Sequence, residues 1–178
     1  KYGLTTNNVL GVEMVLINGD IIRLGGKHLD AEGYDLLGLV TGSEGLLGII
    51  TEVTVRILKK PDTARAMLIG FDNTVVAGDC VAAIIGAGII PGGMEMMDKP
   101  AIHATEEYVH ANYPLDAEAL LIVELDGPEV EVDHLIERVQ EIAKGLGADY
   151  FRVSENETER ETFWAGRKAA FSAIGRIT

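Results

Sequence analysis

Thr41-Gly42-Ser43-Glu44-Gly45-Leu46-Leu47-Gly48-Ile49-Ile50-Thr51 sets three glycines at a spacing of three and then enters a β-branched run, Ile49 to Val55. Glycine lets a backbone turn sharply, come close to a ligand and present bare N–H groups to anionic oxygens. The pattern is not the Gly-x-Gly-x-x-Gly of a dinucleotide fold, and no lysine follows it as in a P-loop. On spacing alone it reads as a tight turn feeding a strand.

Its flanks add to that reading. Upstream lie Lys1-Tyr2-Gly3, the run Val9-Leu10-Gly11-Val12-Glu13-Met14-Val15-Leu16, and Asn18-Gly19 before Ile21-Ile22-Arg23-Leu24-Gly25-Gly26. Two extended apolar runs about Asn18-Gly19 predict a β-hairpin with a type I′ turn. Gly33-Tyr34-Asp35-Leu36-Leu37-Gly38-Leu39 predicts a short helix just before the glycine motif. Residues 48–59 predict a strand, with Val53, Val55 and Ile57 on one face. Lys59-Lys60-Pro61-Asp62 breaks the pattern, and a domain boundary is placed there.

Beyond Pro61 the rhythm changes. Strands are predicted at 65–71, 94–97, 119–125 and 150–153. Helices are predicted at 74–85 with an Asn73 or Thr74 cap, at 99–111 and at 129–144. Ser154 is read as the cap of a last helix, with Glu157 completing a capping box. The alternation with an antiparallel sheet predicts an α+β, ferredoxin-like layer.

Composition narrows the function classes. The 178 residues are 47% hydrophobic, enough for a buried core, and the formal charge is −13. That charge opposes nucleic acid or an anionic membrane surface as partner, since both require clustered Lys and Arg. No segment is apolar for the length of a membrane span. Cys80, the single cysteine, excludes an intrachain disulfide and falls in an apolar run, as a buried inert thiol does. His103, Glu107 and His110 share a helical face, but two turns of rise, about 10 Å, separate the two imidazoles. They read as a solvated polar face, and no metal site is assigned.

Taken together, the 1–58 motifs resemble the second half of the flavin-binding domain in the vanillyl-alcohol oxidase family of FAD-linked oxidases, with the glycolate oxidase D-subunit and D-lactate dehydrogenase group the nearer match. Phe163-Trp164-Ala165-Gly166-Arg167-Lys168-Ala169-Ala170-Phe171 looks like the Trp-x-x-Arg segment of that group's substrate domain. The resemblance implies an α+β chain with a partial second FAD-binding subdomain at 1–60, the C-terminal part of the FAD-binding domain. Residues 61–178 are then the N-terminal part of the ferredoxin-like α+β substrate (cap) domain. On this expectation the chain is an excised or truncated segment, inactive by itself.

The resemblance also implies the cofactor, FAD, and its neighbours: Tyr2, Gly3, Gly42, Ser43, Glu44, Gly45, Gly48, Ile49 and Ile50. Glu44 to Ile50 would follow the adenine and pyrophosphate side through backbone N–H groups. Leu46 stands where family members often carry Thr, which leaves a backbone role intact and removes a hydroxyl contact. Gly48→Val is expected to abolish flavin retention while the fold survives. Arg167 is the candidate anchor for a substrate carboxylate, because a guanidinium offers a planar fork of donors. The competing reading is a solvated arginine paired with Glu157, Glu159 or Glu161. No catalytic base is assigned.

The implied parent activity is oxidation of a glycolate-like 2-hydroxy acid with hydride transfer to FAD. The alternatives are a D-lactate or D-2-hydroxyglutarate dehydrogenase, and a non-catalytic ferredoxin-like ligand-binding module built on residues 61–178. The implied partners are a second flavin-domain subunit and an iron–sulfur subunit. The implied location is cytoplasmic, peripheral to the inner membrane through those subunits.

Overall fold

A computed structural model describes residues 1–28 and 33–176. The chain divides into two compact units, Tyr2–Lys60 and Pro61–Thr178, the latter with Lys1.

In the first unit, the single turn α1 (Thr5–Asn8) leads into β1 (Val9–Val15), and β2 (Ile21–Gly25) returns antiparallel to it. The connection is not a type I′ turn. Leu16 N–H donates to the Asp20 carbonyl, Gly19 N–H donates to the Leu16 carbonyl, and only Gly19 of the loop has a positive φ, 87°. This is a three-residue loop closed by a left-handed glycine, and Asn18 helps through its side chain, which accepts from Asp20 N–H at 3.1 Å. Helix α2 (Leu36–Val40) is capped by Asp35, and β3 (Ile49–Val55) adds antiparallel to the other side of β1. The sheet order is β2-β1-β3. Its small core is Val12, Met14 and Val40, with Leu37, Ile22 and Leu24 packed against it. Ile49, Val53 and Val55 of β3 stay exposed despite being apolar.

The second unit is built on the sheet β5-β6-β4-β7. Its strands are β4 (Thr63–Phe71), β5 (Gly93–Asp98), β6 (Ala119–Gly127) and β7 (Tyr150–Val153), and every neighbouring pair is antiparallel. Numbered within the unit, the order is that of the split β-α-β ferredoxin-like plan. Helices α3 (Thr74–Gly86) and α5 (Glu129–Gly145) make its two crossovers. Asn73 caps α3 by accepting from Val75 and Val76 N–H. Two further helices, α4 (Lys99–Val109) and α6 (Glu157–Ile174), complete the unit.

α3 and α5 cover one face of the sheet, where Phe71, Cys80, Ile84, Leu121, Val123 and Val139 are buried together. α4 and α6 cover the other, where Leu68, Ile102, Leu120, Ile122 and Phe163 pack. With a helical layer on each side, the central strands are buried on both faces. That is why Leu120-Leu121-Ile122-Val123 is a continuous apolar run and not an alternating one. Ser154 is not the cap of α6. Its backbone pairs with Ala66, and its hydroxyl accepts from Ala66 N–H at 3.0 Å, extending the sheet edge. Asn156 caps the helix instead, accepting from Glu159 N–H, while the Glu159 carboxylate accepts from Glu155 N–H.

Cys80 lies wholly inside the α3–sheet interface, and burial pushes its thiol from 9.0 up to about 11. The folded chain therefore holds that proton more tightly than the unfolded one. The associated stability is fully present below pH 9 and is lost as pH rises toward 11. Chaotrope unfolding at stepped pH should show stability falling across that window, and Cys80→Ala should flatten the fall. An unchanged slope in the variant would show that the thiol titrates alike in both states.

Candidate functional site

Two regions carry the candidate residues, one in each unit. In the first unit the loop after α2 takes a succession of left-handed conformations: Gly42 at φ 85°, Glu44 at 52° and Gly45 at 80°. Glu44 is not glycine, so this backbone is held against a cost of about 1–3 kcal/mol. Ser43 N–H donates to the Val40 carbonyl, and Leu46 N–H to that of Ser43. The N–H groups of Gly42, Glu44, Gly45 and Leu47 have no acceptor among the described residues. A Cβ built on Gly42 or Gly45 meets nothing within 4 Å. The loop is thus a short row of open donors, the chemistry that suits a pyrophosphate.

Gly48 is different. A Cβ there would collide with the Met14 side chain and the Val15 carbonyl, at φ 156°. Its bareness serves the β1–β3 pairing, so the expectation that Gly48→Val leaves the fold intact fails on steric grounds. Ile49 and Ile50 pair with Val15 and Met14 and present exposed apolar side chains. Tyr2 and Gly3 sit elsewhere. They precede β1, near its Val9↔Val55 end, whereas the glycine loop enters β3 at the Val15↔Ile49 end. The seven residues of β1 between these ends span about 20 Å. The structure does not bring the two groups together, and one ligand reaching both has to be extended.

In the second unit, α6 lays Arg160, Trp164 and Arg167 along one face, at i, i+4 and i+7. Opposite them, Gly93 pairs with Glu124 across β5–β6, and Glu95 pairs with Ile122, which puts both carboxylates on the α6 side of the sheet. Glu124 Oε2 accepts from Arg160 Nη1 at 2.5 Å and from Trp164 Nε1 at 2.7 Å. Arg160 also bonds Glu157. That bond first, with the Glu124 bond behind it, holds the guanidinium above its ordinary pKa against the opposing pull of burial. Gly93 leaves room for the Trp164 ring, since a Cβ there would lie 3.1 Å from it.

Arg167 Nη2 donates to Glu95 Oε1 at 3.1 Å, with both side chains about half exposed. The acids named beforehand as its competing partners are engaged elsewhere or remote: Glu157 binds Arg160, and Glu159 binds Arg152. Arg167 and Glu95 line a cleft of about 370 Å³ together with Met97, Ala101 and Ala170. One guanidinium N–H of five is spent on Glu95. The methionines divide: Met97 is buried, Met94 packs on the α3–α5 side, and Met96 is half exposed. His103 contacts the Leu115 carbonyl at 3.0 Å, and His110 ends α4 in a left-handed conformation.

Sequence reasoning missed Glu95, Glu124, Arg160 and Tyr113. Two signals were available. Glu124 interrupts the apolar run of β6, which in a doubly buried strand calls for a partner. Gly166 sits mid-helix, where glycine costs about 1 kcal/mol relative to Ala unless something needs the space.

Residues 60–178 match the family model for FAD linked oxidases, C-terminal domain. The chain belongs to the FAD-linked oxidases. It is 52% identical over its whole length to glycolate oxidase subunit GlcD of Escherichia coli strain K12, covering 36% of that protein. It is 32% identical to a D-lactate dehydrogenase of Anaerostipes hadrus, with 98% of this chain and 38% of the relative covered. Among solved structures, alkyldihydroxyacetonephosphate synthase superposes with a TM-score of 0.69 at 21% identity, covering 98% of this chain and 34% of that one. That likeness concerns the fold. The chain spans little more than a third of the length of these curated relatives. FAD is the family's cofactor, and the open glycine loop is compatible with it.

Two outcomes follow for the FAD-linked oxidase segment. Gly42→Ala and Gly45→Ala should cost only backbone strain, about 1 kcal/mol each, and lower flavin content in the full-length protein. Gly48→Ala adds a collision with the Met14 side chain and the Val15 carbonyl and should lower the melting temperature further than either. Thermal melts with flavin absorbance read in parallel separate the two. Glu124→Ala should cost about 1–3 kcal/mol, because it takes the acceptor from the Trp164 N–H and one of the two carboxylates from Arg160, which keeps Glu157, in a mostly buried place. Trp164 is the only tryptophan, so its emission should shift in the same variant. Unchanged emission and stability would show that Glu124 does not hold α6.

Proposed function

We propose that the whole protein is a flavin-dependent oxidoreductase that oxidises a small 2-hydroxy acid of the glycolate type. The observation that carries the substrate reading is Arg167. In an FAD-linked oxidase segment, it is a half-exposed guanidinium at a cleft, bonded to a single carboxylate among the described residues. Residues 1–60 act on this reading as the C-terminal part of the FAD-binding domain, and residues 61–178 as the N-terminal part of the substrate domain.

FAD, when bound, supplies the hydride acceptor. The loop Gly42–Gly48 would hold its anionic part through backbone N–H groups, with Ile49 and Ile50 giving apolar surface beside them. Arg167 binds the substrate carboxylate and so orients the hydroxyl-bearing carbon. A bidentate carboxylate has to displace Glu95 or share the guanidinium with it. Glu124 and Arg160 hold α6 on the sheet, and Trp164 packs its ring over Gly93.

The similarity to glycolate oxidase subunit GlcD supports glycolate as the first substrate to assay, and the D-lactate dehydrogenase relative supports D-lactate as the second. D-2-hydroxyglutarate completes the panel. The name of the first relative makes it a subunit, which supports an assembly with partner subunits; the partners we propose are a second flavin-domain subunit and an iron–sulfur subunit. A cytoplasmic location at the inner membrane face, through those subunits, goes with this reading. No helix among the described residues is long and apolar enough to cross a membrane.

Arg167→Lys in the full-length protein should lower kcat/KM for the 2-hydroxy acid about ten- to hundredfold with flavin content unchanged. Lys keeps the charge and loses the fork, and a charge-assisted bond contributes roughly 1.5–3 kcal/mol. Arg167→Met should lose more. Near-wild-type kinetics in both variants would reduce the pair with Glu95 to an exposed ion contact and remove Arg167 from the substrate site.

A further inference from the structure

Tyr113 lies in the connection between α4 and β6 and is buried. Its hydroxyl donates to the Phe163 carbonyl of α6 at 2.5 Å. In an α-helix that carbonyl is the acceptor for the N–H four residues on, which is Arg167. The backbone N–H groups of Arg167 and Gly166 are close enough to the Tyr113 oxygen to oppose the upward pull of burial on its pKa, which still reaches about 12. A Cβ on Gly166 would collide with the hydroxyl and the ring of Tyr113. The mid-helix glycine is therefore the seat of this side chain.

The loop that delivers Tyr113 is itself held tightly. His110 and Asn112 take positive φ, 53° and 59°, without being glycine. Such strain persists only where the surroundings over-determine it. The Glu106 carboxylate accepts from Asn112 N–H and Tyr113 N–H, each at 3.0 Å. Arg152 braces the same loop through the Ala111 and Asn112 carbonyls, bonds Glu159 of α6 at 2.5 Å, and stacks over the Phe163 ring at 5.0 Å. Loop and helix are thus tied together on both sides of the Tyr113 contact.

We infer that Tyr113 is a positioning residue for Arg167: its hydroxyl, seated over Gly166 and bonded to the Phe163 carbonyl, sets the helical turn from which the guanidinium reaches the cleft. This rests on the reading of Arg167 as the carboxylate anchor. A residue that only filled the core would be replaced by Phe with little consequence for ligand binding. A residue that aims Arg167 loses its function through the hydroxyl alone.

The test is a double-mutant cycle in the full-length, flavin-loaded protein, with Tyr113→Phe, Arg167→Met and the pair. KM and kcat for glycolate are measured with the Kd of oxalate, a non-reducing dicarboxylate, from its perturbation of the flavin spectrum. Tyr113→Phe should raise KM and the oxalate Kd about fivefold, the factor expected for one hydrogen bond, with kcat and flavin content held within about twofold. In the Arg167→Met background the same change should add nothing. Gly166→Ala, which keeps the hydroxyl and displaces it, should reproduce the signature of Tyr113→Phe. Equal effects of Tyr113→Phe in both backgrounds would overturn the inference, and so would no effect of Tyr113→Phe beside an impaired Arg167→Met. An unimpaired Arg167→Met would instead sink the anchor reading, and the positioning role with it.

Discussion

Burial of the β4–β6 pair on both faces is the constraint from which the second unit follows. These two central strands run side by side from Thr63↔Gly127 to Phe71↔Ala119. Residues 66–69 and 119–123 are shut off from solvent. At roughly 25 cal/mol per Å² of apolar surface removed from water, this ladder dominates what holds the unit together. It also dictates that nothing charged can stand on either strand unless it is answered. Glu124 stands there and is answered twice, by Arg160 and Trp164.

That answer determines where α6 lies, and α6 collects the rest of the site. One helix face supplies Arg160, Trp164 and Arg167, and the turn behind it is penetrated by Tyr113. The apolar core thus sets the rotation of a helix, and the rotation sets a guanidinium at a cleft. The first unit obeys a different economy. Its core is small, the apolar side chains of β3 remain exposed, and its glycine loop keeps donors without protein acceptors among the described residues. A structure organised this way invests in surfaces and backbone groups that a ligand or further protein has to satisfy.

Much of the architecture was legible because its signals are local. Asn73 caps α3 as its side-chain chemistry dictates, and Tyr150–Val153 forms a strand. The stripe Val132, Ile136 and Val139 marks the buried face of α5. Two local readings failed for local reasons. Asn18 does not adopt a positive φ, so the hairpin closes through Gly19 alone. Ser154 was taken from helix capping by a stronger claim, the unpaired edge at Ala66.

The candidate site was legible only in part. Arg167 could be singled out by the resemblance of its Trp-x-x-Arg setting to the family's substrate domain, and the glycine loop by the resemblance of its flanks to the flavin-binding domain, since its spacing alone reads as a tight turn. The sequence by itself determined the element order beyond Pro61, the Asn73 start of α3, the continuous apolar strand of β6, and the backbone freedom at Gly42 and Gly45. Those are properties of neighbours within one or two turns of chain. Only the tertiary structure decided that Glu95 and not Glu157, Glu159 or Glu161 meets Arg167, that Gly48 is bare for Met14 and Val15, and that Gly166 is bare for Tyr113. Each joins residues 33 to 72 positions apart, where strand register and helix rotation choose the partner, and neither is written in any local stretch of sequence.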